Sequence, residues 1–378
     1  MVIKSMESLN YSPIESKGLG LKVYRGVLDD INPEEILSNV LKKNIDVAII
    51  RIPAERQDSL ARFQEIGIPY LIADTLVYYH IDLKKHKPVE LRNSDLEFIE
   101  FYPEHLAIMD KLVSEIFPAY KNHYTSNPLL SVDLIEAYKE WACSYVTNEA
   151  NRKCAWLVKR GDRFIGFATC AFDGDESEIV LNGVVPSAAG AGVYGDLIRF
   201  IQRFFKDNGY STMKVSTQVY NYTVQKVWNR EGFVMKQSFL TVHLNCFMDA
   251  SRVKKRVFDL IVSADDLSHY GTISGNMNRL HFDEEYAHSK GFEGRIAHEL
   301  LVNAVISRYY GTEFPGDGTV FIGYSYKFLK PIYLDKPYTI EISFPFVNPE
   351  KGTYKSLVKI LDSSGHICLF SYNDLIKE

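Results

Sequence analysis

Cysteine is scarce and scattered. The 378 residues hold five, at positions 143, 154, 170, 246 and 368, with none of the short spacings that make a zinc site or a redox pair. An odd number so far apart excludes a disulfide framework and fits reduced structural thiols in a cytoplasmic protein. No apolar run reaches the length of a membrane span, and the opening MVIKSMESLNYSPIESK has no apolar core of secretory type. Charge of one sign is not in excess either: a net charge of −5 argues against a general nucleic-acid binder. Asp173-Gly-Asp-Glu-Ser177 begins like a calcium loop but does not continue as one, so its acids read as solvated turn residues. No metal is implied. What remains is ordinary globular composition, 46% hydrophobic and 24% charged, over a length that suggests two or three domains.

The stretch from Glu178 to Phe233 carries the clearest pattern. Glu178 to Pro186 reads as a strand. Ala189-Gly-Ala-Gly-Val-Tyr-Gly-Asp196 is a small-residue turn, and Leu197, Ile198, Ile201, Phe204 and Phe205 then mark one face of a helix that stops at Asn208-Gly209. A second strand spans roughly Met213 to Val219, and Asn221 caps a short helix ending at Gly232-Phe233. A strand feeding a glycine turn and a helix is an anion site, because the first helical turn has free N–H groups and the positive end of the dipole. The same turn also packs a helix on a sheet with no ligand, so by itself it decides nothing.

Val184-Val185-Pro186, Gly190-x-Gly192 and Asn221-x-x-Val224-x-x-x-Trp228-x-x-x-Gly232-Phe233 together resemble the two signature motifs of the GNAT family of acyl-CoA N-acyltransferases. The resemblance implies coenzyme A as co-substrate. Its pyrophosphate would rest on Gly190, Ala191, Gly192, Val193, Tyr194 and Gly195. A strand bulge would aim the Val184 N–H at the thioester carbonyl. Asn221 and Trp228 would line the pantetheine arm. There are departures: Ala189 stands where the family has Arg or Gln, and Tyr194 where it has a small residue. Trp228 replaces a tyrosine proposed as the acid for the leaving thiolate; an indole cannot serve in that way, so the acid is unassigned.

Upstream, residues 1–88 alternate strand-like and helix-like pieces: strands at Lys22–Leu28, Asp46–Ile52 and Pro69–Leu83, helices at Pro33–Leu41 and Asp58–Ile66. Ala48-x-x-Arg51-Ile-Pro53 and Gly67-x-x-Tyr70 resemble the partial N-terminal unit of bacterial nucleotide-sugar N-acetyltransferases. No catalytic group is expected there. Residues 89–247 would be the complete GNAT domain, with 98–117 helical and a further helix from Leu134 to Tyr145. His123, Tyr124 and Asn127, in a proline-bounded loop, and Tyr138 and Trp141, on that helix, are the candidate acceptor-binding residues. Rings and amides suit a nucleotide sugar, although Tyr138 and Trp141 equally suit a core.

Glu178 lies six residues before Val184, the offset of the general-base glutamate in histone-acetyltransferase-type relatives. A carboxylate of ordinary pKa, about 4.3, is a poor base near neutrality unless desolvated or acting through water. The alternative is a strand-opening residue and an amine that arrives neutral. Asn182, on the same face as Val184, is a candidate for orienting substrate.

Cys246 to Arg256 reads as a linker with a short basic cluster, Arg252, Lys254, Lys255 and Arg256. Beyond it, Ser274-Gly275-Asn276-x-Asn278-x-x-His281, then Ala287, Gly291-Phe292 and Gly294-Arg-Ile-Ala-His298, precede an amphipathic helix over Ile296–Tyr310 and three or four strands. This resembles the hotdog fold of MaoC-like (R)-specific enoyl-CoA hydratases over 257–378. In active members an Asp and the His activate water; here Asn276 replaces the Asp, and an amide cannot accept a proton as a carboxylate does. Glu299 also replaces a glycine. A lost or weak hydratase is therefore expected, with the domain driving a homodimer or higher homo-oligomer.

The expected architecture is α/β and α+β: a partial plus a complete GNAT fold, then a hotdog domain. The expected activity is transfer of a short acyl group from acyl-CoA to the amine of a dTDP-linked 3- or 4-amino-dideoxy sugar for surface polysaccharide, by direct attack in a ternary complex. The fusion to a hydratase-like domain implies a 3-hydroxyacyl donor such as 3-hydroxybutanoyl-CoA. Three rivals stand beside it: a bifunctional hydratase and acyltransferase, a non-catalytic acyl-CoA sensor, and an acyltransferase for a protein lysine or other amine.

Overall fold

The computed structural model describes residues 9–118, 120–130, 135–247 and 254–377. They form two compact units: one made by the chain up to Phe63 with Tyr70–Leu244, the other by Gln64–Pro69 with the chain from Asn245 onward. In chain order as far as Asn245, the elements begin with β1 (Asn10–Tyr11), α1 (Pro13–Leu19), β2 (Val23–Val27), α2 (Pro33–Lys43), β3 (Val47–Pro53), α3 (Phe63–Ile66) and β4 (Tyr70–Asp82). There follow β5 (Leu96–Glu100), α4 (Leu106–Ile116), α5 (Ile135–Cys143), β6 (Lys153–Arg160), β7 (Arg163–Asp173) and β8 (Glu176–Val184). The run ends with α6 (Val193–Asp207), β9 (Thr212–Gln218), α7 (Tyr222–Arg230) and β10 (Val234–Asn245).

All ten strands join one sheet, in the order β1-β2-β3-β10-β4-β9-β8-β7-β6-β5. The segment expected to stand apart before residue 88 thus has no sheet of its own: β4 is inserted between β10 and β9. Local chemistry explains several boundaries. Asn32 caps α2 by accepting from Glu35 N at 3.2 Å with Pro33 at the first helical position, and Asn44 closes the helix in the left-handed region. The apolar face of α6 buries Val193, Leu197, Ile198, Ile201 and Phe205. At about 1.5–3 kcal/mol for each large side chain, that face outweighs any capping term, and Phe205→Ala alone would cost about 3–5 kcal/mol.

Two expectations are corrected. Residues 96–100 are a strand, paired residue for residue with β6; their short alternation is hard to separate from the helix that follows. Residues 54–62 are a 3-10 segment, with only Phe63–Ile66 α-helical. Leu134, expected in α5, and Arg252, of the basic cluster, lie outside the described residues.

The second unit contains β11 (Lys255–Leu260), α8 (Ala264–Ser274), α9 (Arg279–Phe282), α10 (Glu284–Ser289) and α11 (Glu299–Thr312), then β12 (Thr319–Phe328), β13 (Tyr338–Asn348), β14 (Thr353–Leu361) and β15 (Ile367–Lys377). Its antiparallel sheet runs β11-β13-β14-β15-β12. Val302, Ile306, Tyr309 and Tyr310 of α11 pack with Ile340, Ile342, Val358, Ile360 and Leu369 of the sheet. The tyrosine hydroxyls of that layer are satisfied: that of Tyr310 lies 2.6 Å from Ser356 Oγ and 2.8 Å from Asn373 Nδ2, and that of Tyr309 donates to Asp259 O at 3.0 Å.

Candidate active site and the hotdog loop

Strands β8 and β9 run parallel but pair only from Glu176↔Thr212 to Ile179↔Val215. Beyond that register the last residues of each strand have no partner across the gap, so the sheet splits. A split exposes backbone groups that would otherwise bond each other.

A bulge starts the divergence, and its place corrects the sequence reading. Thr169 faces Leu181 while Cys170 faces Ile179, so the extra residue is Val180, not Val184. Thr169 Oγ1, fully buried, accepts from Leu181 N at 3.0 Å and donates to Leu181 O at 3.3 Å, which satisfies the irregular turn of backbone. Val184 instead pairs regularly with Gly166. Its N–H still faces the gap. Val185 N donates to Ile165 O at 2.9 Å, and N–H groups alternate sides along an antiparallel ladder. The amides of Val184 and Asn182 therefore point away from β7, into the opening.

At the end of β8 the chain turns through Pro186–Ala188 into α6. Gly190 and Gly192 have φ of 81° and 82°, a region that an L side chain enters at a cost of about 1–2 kcal/mol, so both glycines are needed for this path. The amides of Val193, Tyr194 and Gly195 form the first turn of α6. Ala189 offers no cation, as expected. The strand-connecting segment before β5 brings one from elsewhere. Arg92 and Asn93 lie beside the turn: a Cβ on Gly192 would sit 3.7 Å from Arg92 Cδ and 3.4 Å from Asn93 Nδ2. Asn93 Nδ2 also donates to Ala191 O at 3.2 Å. The segment is fastened by Asp196, whose buried carboxylate accepts from the N–H groups of Arg92 and Asn93, each at 2.9 Å, and from Asn93 Nδ2 at 2.7 Å. Arg199 bonds Asp196 at 3.0 Å and grips Glu231 with two nitrogens at 2.7 and 2.9 Å. Burial pushes the Asp196 carboxyl up, but these donors and the Arg199 charge outweigh it and hold the group below its ordinary range. Arg92 was invisible in the sequence because it lies about a hundred positions from the glycines.

Three of the anticipated residues meet in one chain of hydrogen bonds. Trp228 Nε1 donates to the Tyr194 hydroxyl at 3.0 Å, and that hydroxyl donates to Asn182 Oδ1 at 2.6 Å. Trp228 is 1% exposed, so its indole is a buried donor that fixes Tyr194. Burial, only partly offset by the Trp228 bond, raises the Tyr194 hydroxyl above its ordinary value, which keeps it protonated as a donor to Asn182. Asn221 precedes α7, but its side chain donates to Thr217 Oγ1 at 3.0 Å rather than capping the helix.

Glu178 belongs to the paired end of β8, not to the gap. Its carboxylate lies 3.3 Å from Nζ of Lys214, which is almost buried and also 3.6 Å from Glu176. The carboxylate is thus engaged in an ion pair, and the base role would have to work against that pairing.

The expected acceptor loop is closed upon itself. His123 Nδ1 lies 2.8 Å from His243 Nε2, and His243 Nδ1 lies 3.2 Å from Asn127 Nδ2. Burial pushes His243 down to about 3, with the Arg25 charge adding to it, and it depresses His123 strongly too. Both rings are therefore neutral at physiological pH. Tyr124 donates to Glu15, which pairs with Arg25 at 3.0 Å. The expectation of loop side chains open to substrate thus does not describe His123, Tyr124 or Asn127; the loop packs inward because its polar groups find partners on β10 and α1. Tyr138 stacks on Phe117 with centroids 4.8 Å apart and accepts from Asn122 Nδ2 at 2.7 Å; Trp141 stacks in turn on Tyr138 at 6.2 Å. Both are half-buried against the core.

In the second unit, His281 and His298 face each other with ring centres 4.9 Å apart. His281 Nδ1 lies 2.9 Å from Ile296 O and so carries the proton, which leaves Nε2 as the basic nitrogen. His298 caps α11: its Nδ1 accepts from Leu300 N at 3.2 Å. A neutral His298 then bears its proton on Nε2, which lies against Asn276 Nδ2, so a donor meets a donor there. The Asn276 side chain also accepts from Asn278 N at 3.1 Å. Two N–H donors thus converge on residue 276, an environment shaped for a carboxylate. His281, His298 and Glu299 place three ligand atoms within 4.8 Å of one another, but the ring nitrogens Nδ1 of His281 and both of His298 are already engaged.

A strand-split sheet with a glycine turn at a helix N-terminus, followed by an antiparallel sheet around one helix, defines an acyltransferase-type domain joined to a hotdog domain. Residues 111–233 match the acetyltransferase (GNAT) family, and residues 250–355 match the MaoC like domain. The chain is 30% identical over 108 residues to an (R)-specific enoyl-CoA hydratase of Rhodospirillum rubrum, covering 29% of this chain and 75% of that protein. The chain belongs, in this part, to the MaoC-like family. A mitochondrial 3-hydroxyacyl-(acyl-carrier-protein) dehydratase of Arabidopsis thaliana is 33% identical over 105 residues, 27% of this chain and 60% of that protein, so the chain spans less than two thirds of this relative. A GCN5-related N-acetyltransferase structure from Sphaerobacter thermophilus is 16% identical with a TM-score of 0.40, over 52% of this chain and 59% of that one. Among the described residues no helix is long and apolar enough to cross a membrane.

Proposed function

We propose that the protein is a coenzyme A-dependent N-acyltransferase that transfers a short acyl group to the amine of a dTDP-linked 3- or 4-amino-dideoxy sugar. The observation that carries the transfer is the β8–β9 split, with the Asn182 and Val184 amides aimed into it and the glycine turn of α6 at its end. An acyl thioester in the gap would hydrogen-bond through its carbonyl oxygen to one of those amides. The amine nitrogen attacks the carbonyl carbon and gives a proton to water, the tetrahedral oxyanion gains most from the N–H donor, and the C–S bond then breaks, the departing thiolate taking a proton from water to leave as the thiol. Pyrophosphate would rest on the amides at 193–195 with Arg92 beside them. The sugar and its nucleotide rest on the resemblance of the N-terminal segment to nucleotide-sugar acetyltransferases. Initial-rate kinetics with acyl-CoA and amine both varied test the direct route. Intersecting lines support it; parallel lines indicate an acyl-enzyme and refute it.

A second reading, a bifunctional enzyme, has one observation in its favour: His281 retains a free Nε2 beside a loop whose relatives are named hydratases and dehydratases. Hydration of crotonyl-CoA by the full chain decides it. The single-function reading predicts rates near background.

The hotdog unit is also proposed as a dimerisation module. Val320, Ile322 and Tyr324 of the edge strand β12 are more than half exposed, an apolar edge of the kind that pairs with another strand.

A further inference from the structure

Asp74 is a buried carboxyl without a hydrogen-bond partner inside the first unit. The residue is 8% exposed, and neither carboxylate oxygen has a hydrogen-bond partner. No Lys or Arg forms an ion pair with it among the described residues. A buried polar group left without a hydrogen-bond partner costs free energy, and proteins seldom keep such a group without a use for it.

Its position is built, not incidental. Thr241 of β10 faces Asp74 while Val242 faces Ile72, so Ala73 is an extra residue in β4, and a bulge of this kind re-aims the next side chain. Asp74 shares its face of β4 with Leu76, and Leu76 faces Gln218, the last residue of β9. The Tyr120 hydroxyl donates to that Gln218, and Val219 N bonds Thr75 O at 2.8 Å. Asp74 therefore stands beside the end of β9, the strand that borders the split.

Three tyrosine hydroxyls feel its field without bonding it. Tyr120, Tyr138 and Tyr220 are all raised above their ordinary values, first by burial and also by the negative charge of Asp74; Tyr220 reaches about 12. Tyr138 accepts from Asn122 and Tyr220 donates to Lys121 O, so neither bonds Asp74. Thr241 Oγ1, on the facing residue, is buried and unpartnered as well. A buried carboxyl with no donor of its own, beside the end of β9, is complementary to a small ammonium.

We propose that Asp74 receives the cationic amine of the acceptor substrate and so selects for amines at the mouth of the split. The identity of that cation as an acyl acceptor rests on the acyltransferase reading. Amine recognition thereby falls to the N-terminal segment, which shows no catalytic motif.

The test compares binding of dTDP-4-amino-4,6-dideoxyglucose and its 4-hydroxyl counterpart to the full chain, wild type and Asp74→Asn, by calorimetry, alongside coenzyme A binding and thiol release. Wild type should prefer the amino sugar by about 10- to 100-fold, the range of a charged hydrogen bond. D74N should lose that preference, keep its coenzyme A affinity and, without ligand, melt no lower than wild type, since a carboxyl without a partner has been removed. Equal binding of the two sugars by wild type, or a preference that survives in D74N, overturns the proposal. A D74-dependent preference for the amine with no thiol release would sink acyl transfer and leave Asp74 standing. Thiol release unaffected by D74N would do the reverse.

Discussion

The two units of this chain store their chemistry differently. In the first, the groups that would act on a thioester are backbone amides: Asn182 and Val184 facing the split, and residues 193–195 at the start of α6. In the second, the groups that the resemblance to hydratases implies are side chains, with Asn276 where an Asp is expected beside His281. Backbone sites tolerate side-chain drift. Ala189 offers no cation and Trp228 no hydroxyl where the resemblance implies them, yet Arg92 lies beside the turn from another segment and the indole holds Tyr194. A side-chain site does not have this tolerance, because an amide cannot do the work of a carboxylate.

The contrast can be broken most sharply by removing an amide. Val184→Pro deletes an N–H that makes no ladder bond, so the fold should survive while kcat falls about 10²–10³-fold, the usual loss for one oxyanion donor. Asn182→Pro is the matched variant. Rates with coenzyme A binding as a control identify which of the two amides serves; full activity in both would refute a backbone donor. Next in size is a gain. Asn276→Asp places a carboxylate between His298 and the Asn278 N–H, where two donors already point. Crotonyl-CoA hydration by the full chain should rise at least about 100-fold, the scale of a restored general base. No rise would mean that Glu299 or the surrounding loop, not residue 276, disables the site.

Smaller effects sharpen the first unit's side of the comparison. Tyr194→Phe strands the Trp228 N–H, at a cost of about 1–3 kcal/mol for a buried donor left alone; a lowered melting temperature measures it. Arg92→Ala should raise the KM for acyl-CoA severalfold, about 1 kcal/mol for an exposed charge, with kcat unchanged. That loss should shrink as salt is raised.

Much of this was legible in the sequence, and the reason is locality. The strand, glycine turn and helix at 178–207 are contiguous, so their spacing carries the site directly. The hotdog loop is contiguous too, and Asn276 announced its own defect. What lay hidden depends on pairings across the sheet. The bulge at Val180 exists only relative to Thr169 and Cys170 on β7. Residues 96–100 become a strand because β6 offers an edge. His123, Tyr124 and Asn127 looked like an open loop because nothing in the chain near them reveals His243 or Glu15. Asp74 sits in a strand rich in aromatics, and its lack of a partner appears only when every neighbour is in place.

The central claim is that the split sheet performs acyl transfer to an amino sugar. The most direct measurement is thiol release by the full chain from acetyl-CoA and from 3-hydroxybutanoyl-CoA, each with a panel of dTDP-3-amino and dTDP-4-amino sugars. The account predicts release that depends on one amino sugar and is faster with the longer donor. No release with any pair, from a protein that still binds coenzyme A, would contradict it and leave an acyl-CoA-binding protein without transferase activity.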